Sequence, residues 1–137
     1  MSMITIDQTP PVSLAATWAG RILSGAVILF LLVDGGMKLV PIDAVIAASQ
    51  EFRIPVELAR TLGIITLACT ILYAVPATSV LGAILLTAYM GGAVYTHLRI
   101  GSPLFSHTLF GVYLGVMIWG GLWLRDAAVR ALIPLRR

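Results

Sequence analysis

The chain has 137 residues, of which 59% are hydrophobic and 11% are charged. A soluble domain has about 25% charged residues. This chain has too few charges to cover a water-exposed globule, so its composition favours a protein that lies in the lipid bilayer. Nine basic residues stand against six acidic ones, and they form no basic stripe on a polar domain, which excludes nucleic-acid binding. The single cysteine, Cys69, excludes an internal disulfide and a Cys-x-x-Cys redox pair.

The first apolar stretch, at about residues 14–33, is long enough to cross a membrane. A bilayer core about 30 Å thick needs about 20 helical residues, because only a helix satisfies its own backbone hydrogen bonds in lipid. Within this span Ala16, Gly20 and Ser24 recur at every fourth position, which predicts the close approach of a neighbouring helix. Asp34 and Lys38 come next, and they share a helical face if the helix continues through the two glycines between them.

Residues 42–52 are predicted to form a short interfacial helix between the first and second spans. The apolar residues fall largely on one side and the polar residues on the other, which is typical of a helix that lies at the boundary between the bilayer and water. The apolar set is Ile42, Val45, Ile46 and Phe52, and the polar set is Asp43, Gln50, Glu51 and Arg53.

The second and third spans lie between Arg60 and Arg99, which enclose 38 uncharged residues. As one helix these would extend roughly 57 Å, nearly twice the core thickness. Pro76 lies where the break should fall, so the spans are predicted at about 56–75 and 78–98. Small residues form two adjacent faces on the third span, and we expect it to be the most tightly packed helix. These residues are Ala83, Thr87 and Gly91, and Ala88, Gly92 and Thr96.

The fourth span, at about residues 104–124, contains the close-packing pattern Gly111-x-x-x-Gly115 and ends near two tryptophans, Trp119 and Trp123. A basic tail at 125–137 comes after it, and it forms either a short helix on the membrane surface or a frayed terminus that only sets topology. The prediction is therefore an all-α fold, with residues 1–137 forming a single four-span membrane domain. Four spans put both termini on one side, which we expect to be cytoplasmic.

Alternating spans bring a set of polar residues to the membrane face opposite the termini. These candidate ligand-binding residues are Asp34, Lys38, Glu57, Arg60, His97 and Arg99, with Tyr89 and Thr96 below His97 on the same side of the third span. Ionisable groups at this depth are costly unless paired, so Asp34 and Glu57 are expected to pair with Lys38, Arg60 or Arg99 around a polar cleft. Each candidate also has a structural alternative. Asp34 and Lys38 would only mark the interface and cap the first helix, and the arginines would snorkel to lipid head groups. His97 would only pack at the interface, and Glu57, Tyr89 and Thr96 would be structural.

His97 is the candidate with the most specific chemistry. A neutral imidazole at this depth suits a hydrogen bond to a quinone carbonyl, or the transfer of a proton near neutral pH. His107 is the only other histidine, and two histidines without a third ligand do not predict a metal site.

Several motifs resemble those of the DoxX-like family of small bacterial membrane proteins. They are Asp34-Gly35-Gly36-Met37-Lys38, the Pro76-x-Thr78 turn, and the run from Gly91-Gly92-Ala93 to His97-Leu98-Arg99. The resemblance implies a four-helix bundle in the bacterial inner membrane, and it links the chain to quinone, thiol and oxidative-stress systems. Thr66 and Ala77 depart from the family pattern, in which an acidic residue and an arginine are frequent.

Three classes of function are open at this point. The first is a subunit of a membrane redox system that binds a quinone or another isoprenoid lipid in the cleft. The second is a non-catalytic scaffold that docks a partner or a second copy of the chain, and the third is a small transporter. No flavin, haem or metal motif is visible, so electrons would come from the cofactor of a redox partner or from a bound quinone. Whether the chain is itself an enzyme stays open.

Overall fold

The computed structural model describes residues 11–40 and 42–133, and these contain helices and turns but no strand. Four helical segments are long and apolar enough to cross a membrane, with a short helix between the first and second, which confirms the predicted fold class. The helices are α1 (Leu14–Leu39), α2 (Asp43–Phe52), α3 (Glu57–Ala74), α4 (Ser79–Arg99), α5 (Phe110–Arg125) and α6 (Ala127–Leu132).

The four long helices form an antiparallel bundle in which each packs against two neighbours. Helix α1 contacts α3 and α5, and α4 contacts the same two helices from the opposite side. Val27, Leu86 and Ile118 are fully buried at the centre of the bundle. In lipid such contacts are favoured by close packing rather than by exclusion of water, so the fit between helices decides the arrangement.

Glycines at the two interfaces of α1 allow its backbone to approach its neighbours. A Cβ atom on Gly20 would lie 2.6 Å from the carbonyl oxygen of Gly121 in α5, and one on Gly63 of α3 would lie 2.8 Å from the carbonyl oxygen of Gly35. The predicted small-residue face of the first span therefore lies against α5. Helix α1 runs six residues past its predicted end because Gly35 packs against α3 and continues the helix.

The prediction that the third span is the most tightly packed helix is wrong. Gly91 and Gly92 of α4, like Gly115 of α5, have nothing within 4 Å of an added Cβ atom among the residues that the structure describes. Burial along α4 is also lower than along α3 and α5. The predicted faces are therefore divided: Ala83 is fully buried and the neighbouring Gly82 packs on the backbone of Tyr73, whereas Gly91 and Gly92 are exposed.

Two different turns connect the later helices. A 3₁₀ turn at Pro76–Thr78 joins α3 to α4, and the Thr78 hydroxyl closes it by donating to the carbonyl oxygen of Leu72 at 2.7 Å. Between α4 and α5 the chain turns at Gly101, whose φ of +70° suits glycine. A π-helical turn at Leu104–Thr108 then precedes α5, so the regular fourth helix begins six residues later than its predicted start.

The described part of the basic tail is helical and anchored to α5. Arg130 donates from Nε to the carbonyl oxygen of Trp123 at 2.6 Å and from Nη2 to that of Leu124 at 3.1 Å. Carbonyl groups at a helix C-terminus lack partners within the helix, and Arg130 supplies them. Val129 of α6 is 2% exposed. The prediction for Arg136 and Arg137 lies outside the described residues.

Candidate functional site

A cavity of about 620 Å³ lies at the end of the bundle opposite the start of α1, between α2 and the four long helices. Apolar side chains form most of its wall, among them Leu31, Leu62, Met90, Phe110 and Leu114. The polar side chains that reach it are Asp34, Lys38, Ser49, Tyr89, Thr96, His97 and His107. The cavity is therefore an apolar chamber with a small number of hydrogen-bonding groups.

The deepest polar group in this chamber is a three-residue cluster from α1 and α4. Lys38 Nζ lies 2.5 Å from Asp34 Oδ2 and 3.4 Å from the Tyr89 hydroxyl oxygen. The Lys38 and Asp34 side chains are 24% and 29% exposed, and theirs is the only salt bridge within residues 11–40 and 42–133. Because α1 continues through Gly35 and Gly36, Asp34 and Lys38 share a helical face as predicted.

His97 stands nearer the mouth of the chamber, between Phe52 of α2 and His107 of the π-helical turn. Its ring meets Phe52 edge-on with centroids 4.9 Å apart, and the His107 ring centroid is 6.0 Å away. The Nδ1 atom of His97 lies 3.0 Å from Ser102 Oγ, and that of His107 lies 2.7 Å from Ser106 Oγ. With Nδ1 engaged in this way, Nε2 of each ring is the atom left to contact a ligand.

Helix α2 covers the chamber with its apolar side. Ala44, Val45, Ala48 and Phe52 all line the cavity, as expected for an amphipathic helix lying across the ends of a membrane bundle. The Arg99 guanidinium donates to the carbonyl oxygen of Phe52, so the C-terminal end of α2 is bound to the C-terminal end of α4.

The structure brings five of the eight predicted site residues into the cavity wall and leaves three outside it. Those in the wall are Asp34, Lys38, Tyr89, Thr96 and His97. Arg60 donates from Nε to the carbonyl oxygen of Leu39 at 3.3 Å, and Glu57 has no ion pair among the described residues. Arg99 lines a separate pocket. Asp34 therefore pairs with Lys38 rather than with either arginine, and the expected pairing of Glu57 does not form.

Four residues near the cavity have no sequence signal that marks them as site residues: Ser49, Phe52, Ser102 and His107. The apolar face of α2 is visible in the sequence, but its placement over the cavity is not. Ser102 follows Gly101 in the turn after α4, and only the left-handed backbone of that turn carries its hydroxyl group back to His97.

A sequence model of the DoxX-like family matches residues 22–121. The chain belongs to the DoxX-like family. The match includes every residue that lines the cavity, from Phe30 to Leu114, and it confirms the resemblance seen in the motifs. No curated protein and no solved structure matches this DoxX-like protein. Its function is therefore inferred from the chemistry of the cavity.

Among the described residues of this DoxX-like protein, no group of three His, Cys, Asp or Glu side chains lies close enough to hold a metal ion. The cavity offers instead an ammonium group, a phenol and two imidazoles in an apolar wall. These groups suit hydrogen bonding to the oxygen atoms of a largely apolar molecule.

Proposed function

We propose that this protein binds the oxygen-bearing head group of a quinone, or of a related isoprenoid lipid, as a subunit of a membrane redox system. The observation that supports this is the apolar cavity of about 620 Å³ with the Asp34–Lys38–Tyr89 cluster in its wall. Binding sites for small apolar ligands commonly have volumes of about 300–1,000 Å³ and contain a few placed polar groups.

The two polar regions of the cavity suit two ends of one elongated ligand. Tyr89 and His97 are eight residues apart on α4, which is roughly 12 Å along the helix axis. Tyr89 and Lys38 would donate hydrogen bonds to one carbonyl oxygen, and His97 Nε2 would contact the opposite side of the molecule. Reduction of a quinone takes up two electrons and two protons. The electrons would come from the cofactor of a redox partner. Both protons would come from water at the face where the cavity opens, and His97 is suited to pass them one after the other near neutral pH.

We further propose that the protein lies in the bacterial inner membrane with both termini on the cytoplasmic side. The start of α1 and the end of α5 lie at the same end of the bundle, since Gly20 packs against Gly121 and Arg125. Basic residues favour a cytoplasmic location, and counting Lys and Arg alone gives nearly equal numbers at the two ends. The four at the opposite end, Lys38, Arg53, Arg60 and Arg99, are balanced by Asp34, Asp43, Glu51 and Glu57, whereas Arg21, Arg125 and Arg130 at this end face only Asp126 among the described residues. The cavity then opens at the opposite face.

The test is the quinone content of protein purified under mild extraction, measured by mass spectrometry for wild type, Tyr89→Phe and His97→Ala. Loss of one hydrogen bond of about 1 kcal/mol should lower retention roughly fivefold in Tyr89→Phe, and His97→Ala should abolish it. Tyr95→Phe is the matched control, because Tyr95 is on the same helix but 67% exposed. Equal quinone content in all four proteins, at equal thermal stability, would contradict the proposal.

A second candidate function, a scaffold that docks a partner or a second copy of the chain, is supported by the outward-facing glycines. Gly91 and Gly115 have nothing within 4 Å of an added Cβ atom among the described residues, and such positions let another transmembrane helix approach closely. Gly91→Leu should then reduce the mass of the purified assembly, whereas Ile64→Leu, at an exposed position of α3 that already carries a large side chain, should leave it unchanged. An assembly of the same mass in both variants would argue against this function.

A further inference from the structure

A second, polar pocket lies where the C-terminal ends of α2 and α4 meet. Its volume is about 350 Å³, and Glu51, Arg53, Arg99 and Ile100 line it. Two guanidinium groups and one carboxylate thus surround the same space. Among the described residues neither guanidinium has a carboxylate oxygen within 4.0 Å, so both cations are available to a ligand.

Arg53 holds a backbone conformation that is unfavourable for a residue with a side chain. It ends α2 with φ of 53° and ψ of 44°, a position that glycine usually occupies because a Cβ atom crowds the following carbonyl group. Its N–H donates to the Gln50 carbonyl oxygen, and the Ile54 N–H donates to that of Ser49. Glycine would make the same turn without strain. The presence of arginine at this strained position therefore indicates that its side chain has a role in binding.

Arg99 weakens a feature that would otherwise repel an anion here. The C-terminal end of a helix carries partial negative charge on its unpaired carbonyl groups. Three of the last four carbonyl groups of α2 have donors: those of Ser49 and Gln50 accept from backbone N–H groups, and that of Phe52 accepts from the Arg99 guanidinium. A guanidinium group has five N–H donors, so Arg99 retains others for a ligand in the pocket.

The pocket also lies at the depth of lipid head groups. Tyr95 and Leu98, in the last turn of α4 before Arg99, are 67% and 59% exposed. Tyrosine is enriched at the boundary between hydrocarbon and water, and an exposed leucine beside it suits contact with acyl chains. A ligand in this pocket would therefore have its charged part at Arg53 and Arg99 and its apolar part along α4.

We propose that this pocket binds the head group of a phospholipid that carries both a phosphate and a primary ammonium group. The forked guanidinium groups of Arg53 and Arg99 match phosphate oxygens, and Glu51 pairs with the ammonium group. A carboxylate in the wall would repel a purely anionic head group, which is why the zwitterionic one fits better. This site is separate from the quinone cavity, and the proposal does not depend on it.

The experiment measures lipid binding to delipidated full-length protein by native mass spectrometry. The probes are phosphatidylethanolamine, phosphatidylglycerol and phosphatidylcholine, with O-phosphoethanolamine and inorganic phosphate as soluble competitors. Phosphatidylethanolamine should bind wild type at least fivefold more tightly than the other two lipids. Arg53→Gln and Arg99→Gln should each weaken its binding about tenfold, and Glu51→Gln should remove the preference over phosphatidylglycerol. Arg60→Gln is the matched control, and it should change nothing because Arg60 lies outside the pocket.

Arg53→Gly separates binding from folding. It relieves the left-handed strain, so the melting temperature should stay the same or rise while phosphatidylethanolamine binding falls as in Arg53→Gln. Wild-type lipid affinity in Arg53→Gly and Arg99→Gln would overturn the proposal, and an unchanged lipid preference in Glu51→Gln would overturn the assignment of the ammonium group. Displacement of the lipid by millimolar inorganic phosphate would show that a free phosphate ion, rather than a lipid, is the occupant.

Discussion

Replacing Tyr73 by phenylalanine tests whether a buried hydrogen-bond chain stabilises the bundle. Tyr73 is fully buried, and its hydroxyl donates to the carbonyl oxygen of Ile118 at 2.8 Å. The Ser24 hydroxyl lies 2.8 Å from the Tyr73 hydroxyl oxygen, and Arg125 Nε lies 3.3 Å from Ser24 Oγ. Because the Tyr73 hydrogen is used on Ile118, Ser24 is the donor to Tyr73. The chain of hydrogen bonds thus ties together α1, α3 and α5.

The expected loss of stability arises from the two hydrogen bonds that Tyr73→Phe removes. Side-chain hydrogen bonds within membranes average about 0.6 kcal/mol each, with a maximum near 1.7. Ser24 is 4% exposed, so its hydroxyl would also lose its acceptor in a dry environment. Together these effects amount to about 1–2 kcal/mol, which corresponds to a decrease of roughly 3–6 °C in melting temperature. The aromatic ring and its packing are retained in phenylalanine.

The assay is thermal unfolding in detergent, with Tyr95→Phe as the control. Tyr95 is 67% exposed, so the loss of its hydroxyl should shift the melting temperature by less than about 1 °C. The double variant Ser24→Ala/Tyr73→Phe should lose less than the sum of its single variants, since both act on one hydrogen bond. A Tyr73→Phe protein as stable as Tyr95→Phe would refute the reasoning.

Two further predictions concern helix contacts. Gly63→Ala should lower the melting temperature by several degrees, because its Cβ atom would lie 2.8 Å from the Gly35 carbonyl oxygen. The control Gly25→Ala has open space around the added methyl group and should be neutral or slightly stabilising. Equal melting temperatures for the two variants would show that α1 and α3 do not approach so closely. Arg130→Ala should lower the free energy of unfolding by about 1 kcal/mol, because two carbonyl groups of α5 lose their side-chain donor. The control Arg21→Ala should lower it less, because Arg21 makes only an exposed contact with a tryptophan ring. Chemical or thermal unfolding of the two arginine variants compares these effects, and an equal loss would contradict the capping role.

The positions of the helices were largely predictable from the chain. Charges and Pro76 locate the second and third spans within one or two residues of α3 and α4, because the bilayer sets the length of an apolar helix. The salt bridge between Asp34 and Lys38 was predictable for the same kind of reason, since a spacing of four residues places them together in any continuous helix.

The partners of these helices were less predictable. The small residues of the third span were expected at an interface, yet Gly91 is exposed and Gly92 borders the cavity. The close contact of α4 with α3 occurs at Gly82, and those of α1 occur at Gly20, Gly35 and Gly63. A periodic pattern shows that a helix has a small-residue face but not which neighbour lies there. The same limit explains why Arg99 was expected beside His97 in one cleft and lies instead in a second pocket with Arg53.

By itself the sequence determined an all-helical membrane bundle with its polar residues gathered at one end, because hydropathy and helical periodicity are local properties of a chain in lipid. Only the tertiary structure decided that α2 closes a cavity, that Tyr89 and Lys38 meet across it, and that the turn at Gly101 returns Ser102 to His97. These features depend on the rotation of each helix about its own axis. That rotation is set by the fit of whole helix faces, and residues as far apart in the chain as Ser24 and Arg125, 101 positions, contribute to it.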